Sequence, residues 1–397
     1  MVLKAFKLRL YPNKTQRNQI HVNFGCARFV WNQMLNMHIE RYKNNKKAKF
    51  QGRYSMDVML KALKIEYPWL KQAESTSLQR VNRDLDDAFQ RFFNHSLQNG
   101  FPRFKSKKNT NQSYTSKFVN NNIRIVDEHH IKLPKLGLVY FKAGRILNGK
   151  IRAVTVSVNS RKQYQASILV EGENQTFKKT KKSVGIDLGL KSLAITSDGQ
   201  KEDILKVDDR LNKKLRIWER KKSRRYENAK KAMAFDEHDK VLFPRTDLKQ
   251  FPRYQQAVRT VAKLKRHIAE RRRDNLHKLT TRLVKDYDTI VVENLSVKNM
   301  MKNHHLSASI ANASWGTLIS QLKYKCAWYG KRLIIIDPKN TSRICHECKQ
   351  KNHEFDSLSQ SEWLAAREWD CPNCHAHLDR DVNAAKNILA KGLETLS

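Results

Sequence analysis

The sequence predicts a multidomain chain of mixed α+β and α/β class, and three observations carry that expectation. Length comes first: 397 residues suffice for two or three domains with cores of their own. In the first half, strand-like segments stand on both sides of a block with helical periodicity. In the second half, strands and helices alternate, the pattern of an α/β domain.

The elements follow in order. Residues 3–11, LKAFKLRLY, alternate apolar and polar side chains and end at Pro12, which reads as a strand with one buried face. From Thr15 to about Lys46, Ile20, Phe24, Ala27, Trp31, Met34 and Leu35 recur at helical spacing. A further helical pair is expected through 54–97 on Leu60, Leu63, Leu78, Val81, Leu85, Phe89 and Phe93. Residues 98–122 lose periodicity and mix Phe101, Phe104, Tyr114 and Phe118 with basic side chains. Strand-like segments return at 123–126, 131–134, 138–143, 153–158 and 164–172, so a small β-domain interrupted by a helical insertion fits the order.

A polar basic linker at 175–182, QTFKKTKK, marks the change to the second half. SVGIDLGLKSLAITSDGQ (183–200) has two short apolar runs with turn signals at Gly189 and Asp198-Gly199, hence a hairpin. Two long basic helices are expected over 209–232 and 255–285, with a proline-bearing loop over 234–252 between them. A strand (289–295), an amphipathic helix around Trp315–Cys326, a strand (332–337) and a C-terminal helix complete the chain.

Charge narrows the class of function. Lys and Arg number 78 against 38 Asp and Glu, a formal net charge of +40. Self-repulsion on that scale calls for a polyanionic partner, and nucleic acid is favoured because each neutralised phosphate releases counterions. An anionic membrane surface is the weaker rival, since the basic residues recur along the whole chain. The longest aliphatic run, RLIIID (332–337), is strand-sized, and the first residues show no apolar signal core. An intracellular protein with no membrane partner is therefore expected.

Three acidic positions interrupt apolar runs: Asp187 in VGIDLG, Glu293 in IVVENL, and Asp379 or Asp381 in HLDRDVNAAKNIL. Taken singly, Asp187 reads as a turn residue, Glu293 as a strand-end acid and one of the last pair as a helix cap. Isolated carboxylates are costly to bury. On so basic a chain their combination favours a cage for Mg²⁺, where two cations clamp the oxygens of a phosphodiester.

Cysteines at 345, 348, 371 and 374 give C-x2-C-x22-C-x2-C, near the spacing of a structural zinc site. Cys345, Cys348, Cys371 and Cys374 are the default ligands, with His346, His353, His375 and His377 as substitutes; the insert between the pairs reads as helical in its second half. Cys26 and Cys326 read as small buried hydrophobes.

Two regions suit a nucleic-acid backbone. Ten basic residues fall between 213 and 232, including Lys221, Lys222, Arg224 and Arg225, and Arg271, Arg272 and Arg273 add a run on the next helix. In GFPRFKSKK, Arg103, Lys105, Lys107 and Lys108 interleave with Phe101 and Phe104, which either stack on bases or plug the core beneath a loop.

VGIDLGLKSLAI, IVVENLSV and CPNCHAHLDRDVNAAKNIL closely resemble the three RuvC-type motifs of the TnpB family encoded by insertion sequences, relatives of the type V CRISPR effectors. FKLRLYPNKTQ, FVWNQML and NGFPRFKSKK resemble that family too, so the match runs nearly end to end. The resemblance implies a wedge-like β-barrel (1–14 and 121–180) with an inserted helical recognition domain (15–120), then an RNase H-like (RuvC) nuclease domain (181–397) holding a zinc ribbon (338–378). It implies catalytic acids at Asp187, Glu293 and Asp381, two catalytic Mg²⁺, one structural Zn²⁺, and one chain per guide RNA encoded near the element. The implied activity is cutting of double-stranded target DNA beside a short flanking motif. Lys349 stands where the family usually has glycine after its first cysteine pair. The alternatives are a guided DNA-binding repressor, which should lack an acid, and a transposition accessory protein, for which no His-hydrophobic-His pair is found.

Overall fold

A computed structural model describes residues 2–97, 99–109, 111–142, 149–159, 161–173, 176–203, 209–231, 248, 250–303, 307–356, 362 and 366–396. The chain divides into two compact units, Met1–Glu173 and Asn174–Ser397.

The first unit begins with β1 (Val2–Leu10), followed by α1 (Lys14–Asn44), α2 (Arg53–Glu66) and α3 (Ser75–Phe93). Asn13 and Gln16 form a reciprocal capping box that starts α1. Its inward face, Ile20, Phe24, Ala27, Val30 and Met34, is almost solvent-free, as the spacing requires. Six strands follow: β2 (Gln112–Lys117), β3 (Arg124–Ile125), β4 (His130–Leu133), β5 (Gly137–Lys142), β6 (Lys150–Val158) and β7 (Tyr164–Gly172). They join β1 in one sheet of order β2-β6-β7-β1-β5-β4-β3, and β1 pairs antiparallel with β7 along its whole length.

Two expectations need correction here. The sheet is open and not a closed barrel: β3 is two residues long and pairs only with β4, too short to reach the far edge at β2. β2 lies inside the stretch read as non-periodic, because its inward positions are Tyr114 and Ser116, and a buried serine hides the alternation.

The second unit is built on a five-stranded sheet of order β10-β9-β8-β11-β12. Its strands are β8 (Ser183–Asp187), β9 (Ser192–Thr196), β10 (Lys201–Asp203), β11 (Thr289–Glu293) and β12 (Arg332–Ile336). β8, β11 and β12 run parallel, while β9 and β10 are antiparallel additions, so the expected hairpin carries a third strand. Helices α4 (Asp209–Lys231) and α5 (Pro252–Asp286) lie antiparallel, with Glu219 paired to Lys265 and Tyr226 beside Tyr254. Short α6 (Val297–Met300) and α7 (Ser307–Ala313) lead to α8 (Trp315–Tyr329). Most of the loop expected at 234–252 lies outside the described residues. Of the insert half read as helical, residues 360, 361 and 363–365 also lie outside them, but its end is a strand, Glu368–Asp370, and not a helix.

A three-residue hairpin, β13 (Glu368–Asp370) and β14 (His377–Asp379), runs straight into α9 (Arg380–Glu394). α9 lies against the sheet with almost no spacing. A β-carbon at Gly185 would collide with the Ala385 carbonyl and the Leu389 amide, and one at Gly392 with the Val291 side chain. Glycine at both points lets the helix backbone touch β8 and β11.

Among the described residues, no helix is long and apolar enough to cross a membrane.

Candidate active site and metal centre

β8 ends at Asp187 and its parallel neighbour β11 ends at Glu293; Ile186 pairs with Val292, so the two acids leave the same end of the sheet. Asp381 sits in the first turn of α9, the helix that Gly185 and Gly392 draw onto those strands. The three acids share one electrostatic environment. Asp187 is pushed up to about 7, first by the loss of solvent around its carboxyl and then by the charges of Glu293 and Asp381, with Arg380 opposing.

Each acid has its own support. Glu293 is buried, which raises it above the ordinary carboxylate range, and it accepts a 2.5 Å hydrogen bond from the Thr341 hydroxyl. Asp381 is gripped by Arg380 at 2.8 Å and Arg367 at 3.1 Å. Asp379 does different work: it caps α9, accepting from the amides of Asp381 and Val382 at 3.0 Å, and it pairs with Lys201 at 2.6 Å. Burial acts to raise Asp379, but Lys201 and those two amides outweigh it and hold the group below its usual range. Arg380 is engaged by Asp381.

The carboxylate oxygens of the trio are not all within 4.8 Å of one another; among the described residues only the cysteine quartet is so close. Asp187 is raised first by burial and then by the charges of Glu293 and Asp381, so the three acids lie near enough to act on one another. The fit to Mg²⁺ rests on this chemistry: an all-oxygen donor set, mutually repelling, with arginines standing where positive charge is needed.

Cys345, Cys348, Cys371 and Cys374 converge with all four sulfurs within 4.8 Å. Sγ of Cys345 lies 3.7 Å from Cys374, and Sγ of Cys348 lies 3.6 Å from Cys371. A tetrahedron with metal–sulfur arms of about 2.3 Å has edges of roughly 3.8 Å, so the quartet fits zinc without rearrangement. Cys348 is drawn down to about 6, chiefly by the Gln350 amide and the Asn373 side chain, whereas burial pushes Cys345 up to about 12. The position after each pair, Lys349 and His375, is left-handed, with φ of 62° and 56°. None of the four histidines is needed as a ligand; His346 bonds Asn383 and Lys386 instead.

Known proteins share this sequence along nearly its whole length. A candidate RNA-guided DNA endonuclease of Streptomyces pristinaespiralis is 33% identical over 99% of this chain and 90% of its own length. Another, InsQ of Escherichia coli K12, is 31% identical over the whole of this chain and 94% of its own. The chain belongs to the TnpB family. Within this TnpB-family chain, residues 167–304 match the family model described as "Probable transposase", 315–388 match "Cas12f1-like, TNB domain" and 1–47 match "Helix-turn-helix domain". Residues 1–47 nevertheless form β1 and the single uninterrupted helix α1. Among solved structures, a Cas12f1–sgRNA–target DNA complex aligns over 98% of this chain and 99% of that one, at 13% identity and a TM-score of 0.35.

The basic residues of this TnpB-family member divide by what they touch. Lys107, Lys108, Arg103, Arg224, Arg271 and Arg273 are exposed. Lys105 keeps an exposed stem but lays its ammonium over the Trp31 ring, 3.7 Å from the centroid, and shielding there lowers its pKa. Lys221 leans on Trp218 at 5.0 Å; Lys222 is half-buried on the same helix. Arg225 donates to the Arg253 carbonyl at 2.6 Å, and Arg272 to Asn312 at 2.7 Å, so both tie protein segments together. Residues that sequence reasoning missed, Thr341, Arg367 and Lys201, are ordinary polar side chains whose only signal is the fold that brings them to the acids.

Proposed function

We propose that this chain is an RNA-guided, Mg²⁺-dependent DNA endonuclease of a transposable element, working in a prokaryotic cytoplasm. The observation that carries the reading is the meeting of Asp187, Glu293 and Asp381 at one end of a sheet with three parallel strands and two antiparallel additions. That order supports an RNase H-like (RuvC) assignment for 181–397. Names given to full-length relatives support guide-RNA dependence.

Asp187, Glu293 and Asp381 would hold two Mg²⁺, which when bound supply Lewis-acid charge at phosphate oxygens and a water of lowered pKa. The chain's own residues position that charge. Thr341 fixes the Glu293 carboxylate, Asp379 sets the first turn of α9, and Arg380 and Arg367 orient Asp381. Cys345, Cys348, Cys371 and Cys374 would hold one Zn²⁺ as a scaffold within a zinc ribbon (338–378), all four positions closed to chemistry.

The recognition half is a wedge-like β-sheet (1–14 and 121–180) with inserted helices (15–120), and β2 is contributed to that sheet from within the insertion. Exposed cations at Lys107, Lys108, Arg224, Arg271 and Arg273 track phosphates, while base pairing with one guide RNA reads the target sequence beside a short flanking motif on duplex DNA. Copurification of a defined RNA, followed by cleavage with reprogrammed guides in Mg²⁺ and in EDTA, tests this reading. Cutting that follows the guide and stops in EDTA supports it; tight RNA binding without any cutting leaves the repressor reading.

A further inference from the structure

The first unit keeps a cavity of about 650 Å³ that no group described above uses. Its walls are aromatic. The His38 ring stacks on Phe50 at 4.9 Å and 24°, Phe93 stacks on Phe89 at 5.9 Å, and Phe101 meets Phe89 and Phe92 edge-on at 5.5 and 5.3 Å. A core would close over such rings, yet Phe93 and Phe101 remain 46% and 45% exposed. Contiguous apolar surface left open in this way marks a binding site.

Polar atoms lie within and beside this aromatic wall. Nε2 of His38 is buried and has no hydrogen-bond partner among the described residues. The same holds for Oε1 of Gln51, next to Phe50, and for Oδ1 of Asp86, one helical turn before Phe89. Burial and the nearby Arg41 hold His38 below its ordinary pKa against the pull of Asp86, and a neutral imidazole either donates or accepts at Nε2. Arg41, Lys43 and Lys49 line the same cavity; Lys43 is paired with Glu40, while no described carboxylate pairs with Arg41 or Lys49.

A lipid tail or an apolar peptide would leave the His38 nitrogen unsatisfied and the cations idle. A nucleobase offers flat π faces to the phenyl rings, a hydrogen-bonding edge to His38 and a phosphate to the cations. We propose that this cavity receives an unpaired base of a folded RNA strand. The inference rests on the reading that the chain carries a guide RNA. Bases in loops and bulges of such an RNA are available without cost, whereas a base of duplex DNA must first be unpaired and unstacked.

The test uses the full-length chain and a double variant, Phe93→Leu with Phe101→Leu, which keeps apolar volume but removes two π faces. The probe is a single-stranded RNA carrying 2-aminopurine, with the same sequence as single-stranded DNA and as a blunt RNA duplex. Salt is set high enough to suppress binding by phosphates alone. The original chain is expected to quench the probe and to bind single-stranded RNA roughly tenfold more tightly than the double variant. Duplex affinity and melting temperature should match between the two proteins. Equal affinity for single-stranded RNA, absence of quenching, or an equal loss on the duplex overturns the proposal. A loss confined to single-stranded DNA assigns the cavity to a DNA strand and overturns the RNA occupant. Guided cleavage is measured separately, so a chain that never cuts yet shows the tenfold RNA difference defeats the endonuclease reading alone.

Discussion

Gly185 of β8 and Ala385 of α9 meet backbone to backbone, with no room for a β-carbon between them. This contact sets how closely α9 approaches the strand that ends in Asp187, and so how near Asp381 comes to it. Gly185→Ala forces the helix away from the sheet. Overpacking of this kind costs about 1–3 kcal/mol, and guided cleavage should fall by more than the loss of folded protein. Melting curves together with the activity of the folded fraction check this; unchanged activity would show that helix position does not govern the site.

Asp187 carries a pH signature. Its folded pKa is raised to about 7, so its contribution to stability is complete below the unfolded value and is lost as pH rises through 7. In Mg²⁺-free buffer with zinc retained, Asp187→Asn should be more stable than the original chain at pH 8, by on the order of 2 kcal/mol, whereas at pH 4 the two should melt alike. Added Mg²⁺ should raise the melting point of the original chain at pH 8 and leave the variant unmoved.

Asp288 pins the entry to β8. Its carboxylate accepts from the amides of Thr180 and Lys181 at 2.9 and 2.7 Å and pairs with the buried Lys331. The Lys331 hydrogen bond, ahead of the two amides, holds Asp288 far below the carboxylate range. Its stabilising effect is therefore present above the unfolded pKa and fades as pH falls below about 4. Asp288→Asn leaves Lys331 buried without its charge partner and should cost about 2–4 kcal/mol at neutral pH, a gap that narrows in acid on chemical denaturation.

Lys349 adopts the left-handed conformation at φ 62°, which a side chain enters only at a cost. Here the TnpB-family chain departs from the usual glycine. Lys349→Gly should stabilise the cysteine knuckle by about 0.5–1 kcal/mol, read as slower zinc loss to a chelator. Cys371→Ser should abolish zinc binding altogether, measured as metal per chain.

Legibility differed from element to element for physical reasons. β7 was plain because every inward position from Tyr164 to Val170 is buried and every outward one is not, a complete period-2 signal. β2 was hidden because one of its inward residues is Ser116, and β13 and β14 because three residues hold no period at all. A closed barrel was expected where the short β3 leaves an open edge. Asp187 and Glu293 stood out because they end β-branched or aliphatic strands. Thr341, Arg367 and Lys201 did not, since their roles depend on long-range contacts. Positive charge was visible, but not how it is used: Lys105 rests on Trp31, and Arg225 and Arg272 bind carbonyl and amide oxygens of the protein itself.

Asp379, the cap of α9, and Asp381 in its first turn give the most direct test of the central claim, that Asp187, Glu293 and Asp381 together hold the catalytic cations. Guided DNA cleavage is measured for Asp381→Ala and Asp379→Ala, each loaded with the same RNA. Loss of the Asp379 cap should cost about 1 kcal/mol of stability and leave cutting measurable, whereas Asp381→Ala should bind RNA normally and not cut. Cleavage that survives in Asp381→Ala would contradict the account.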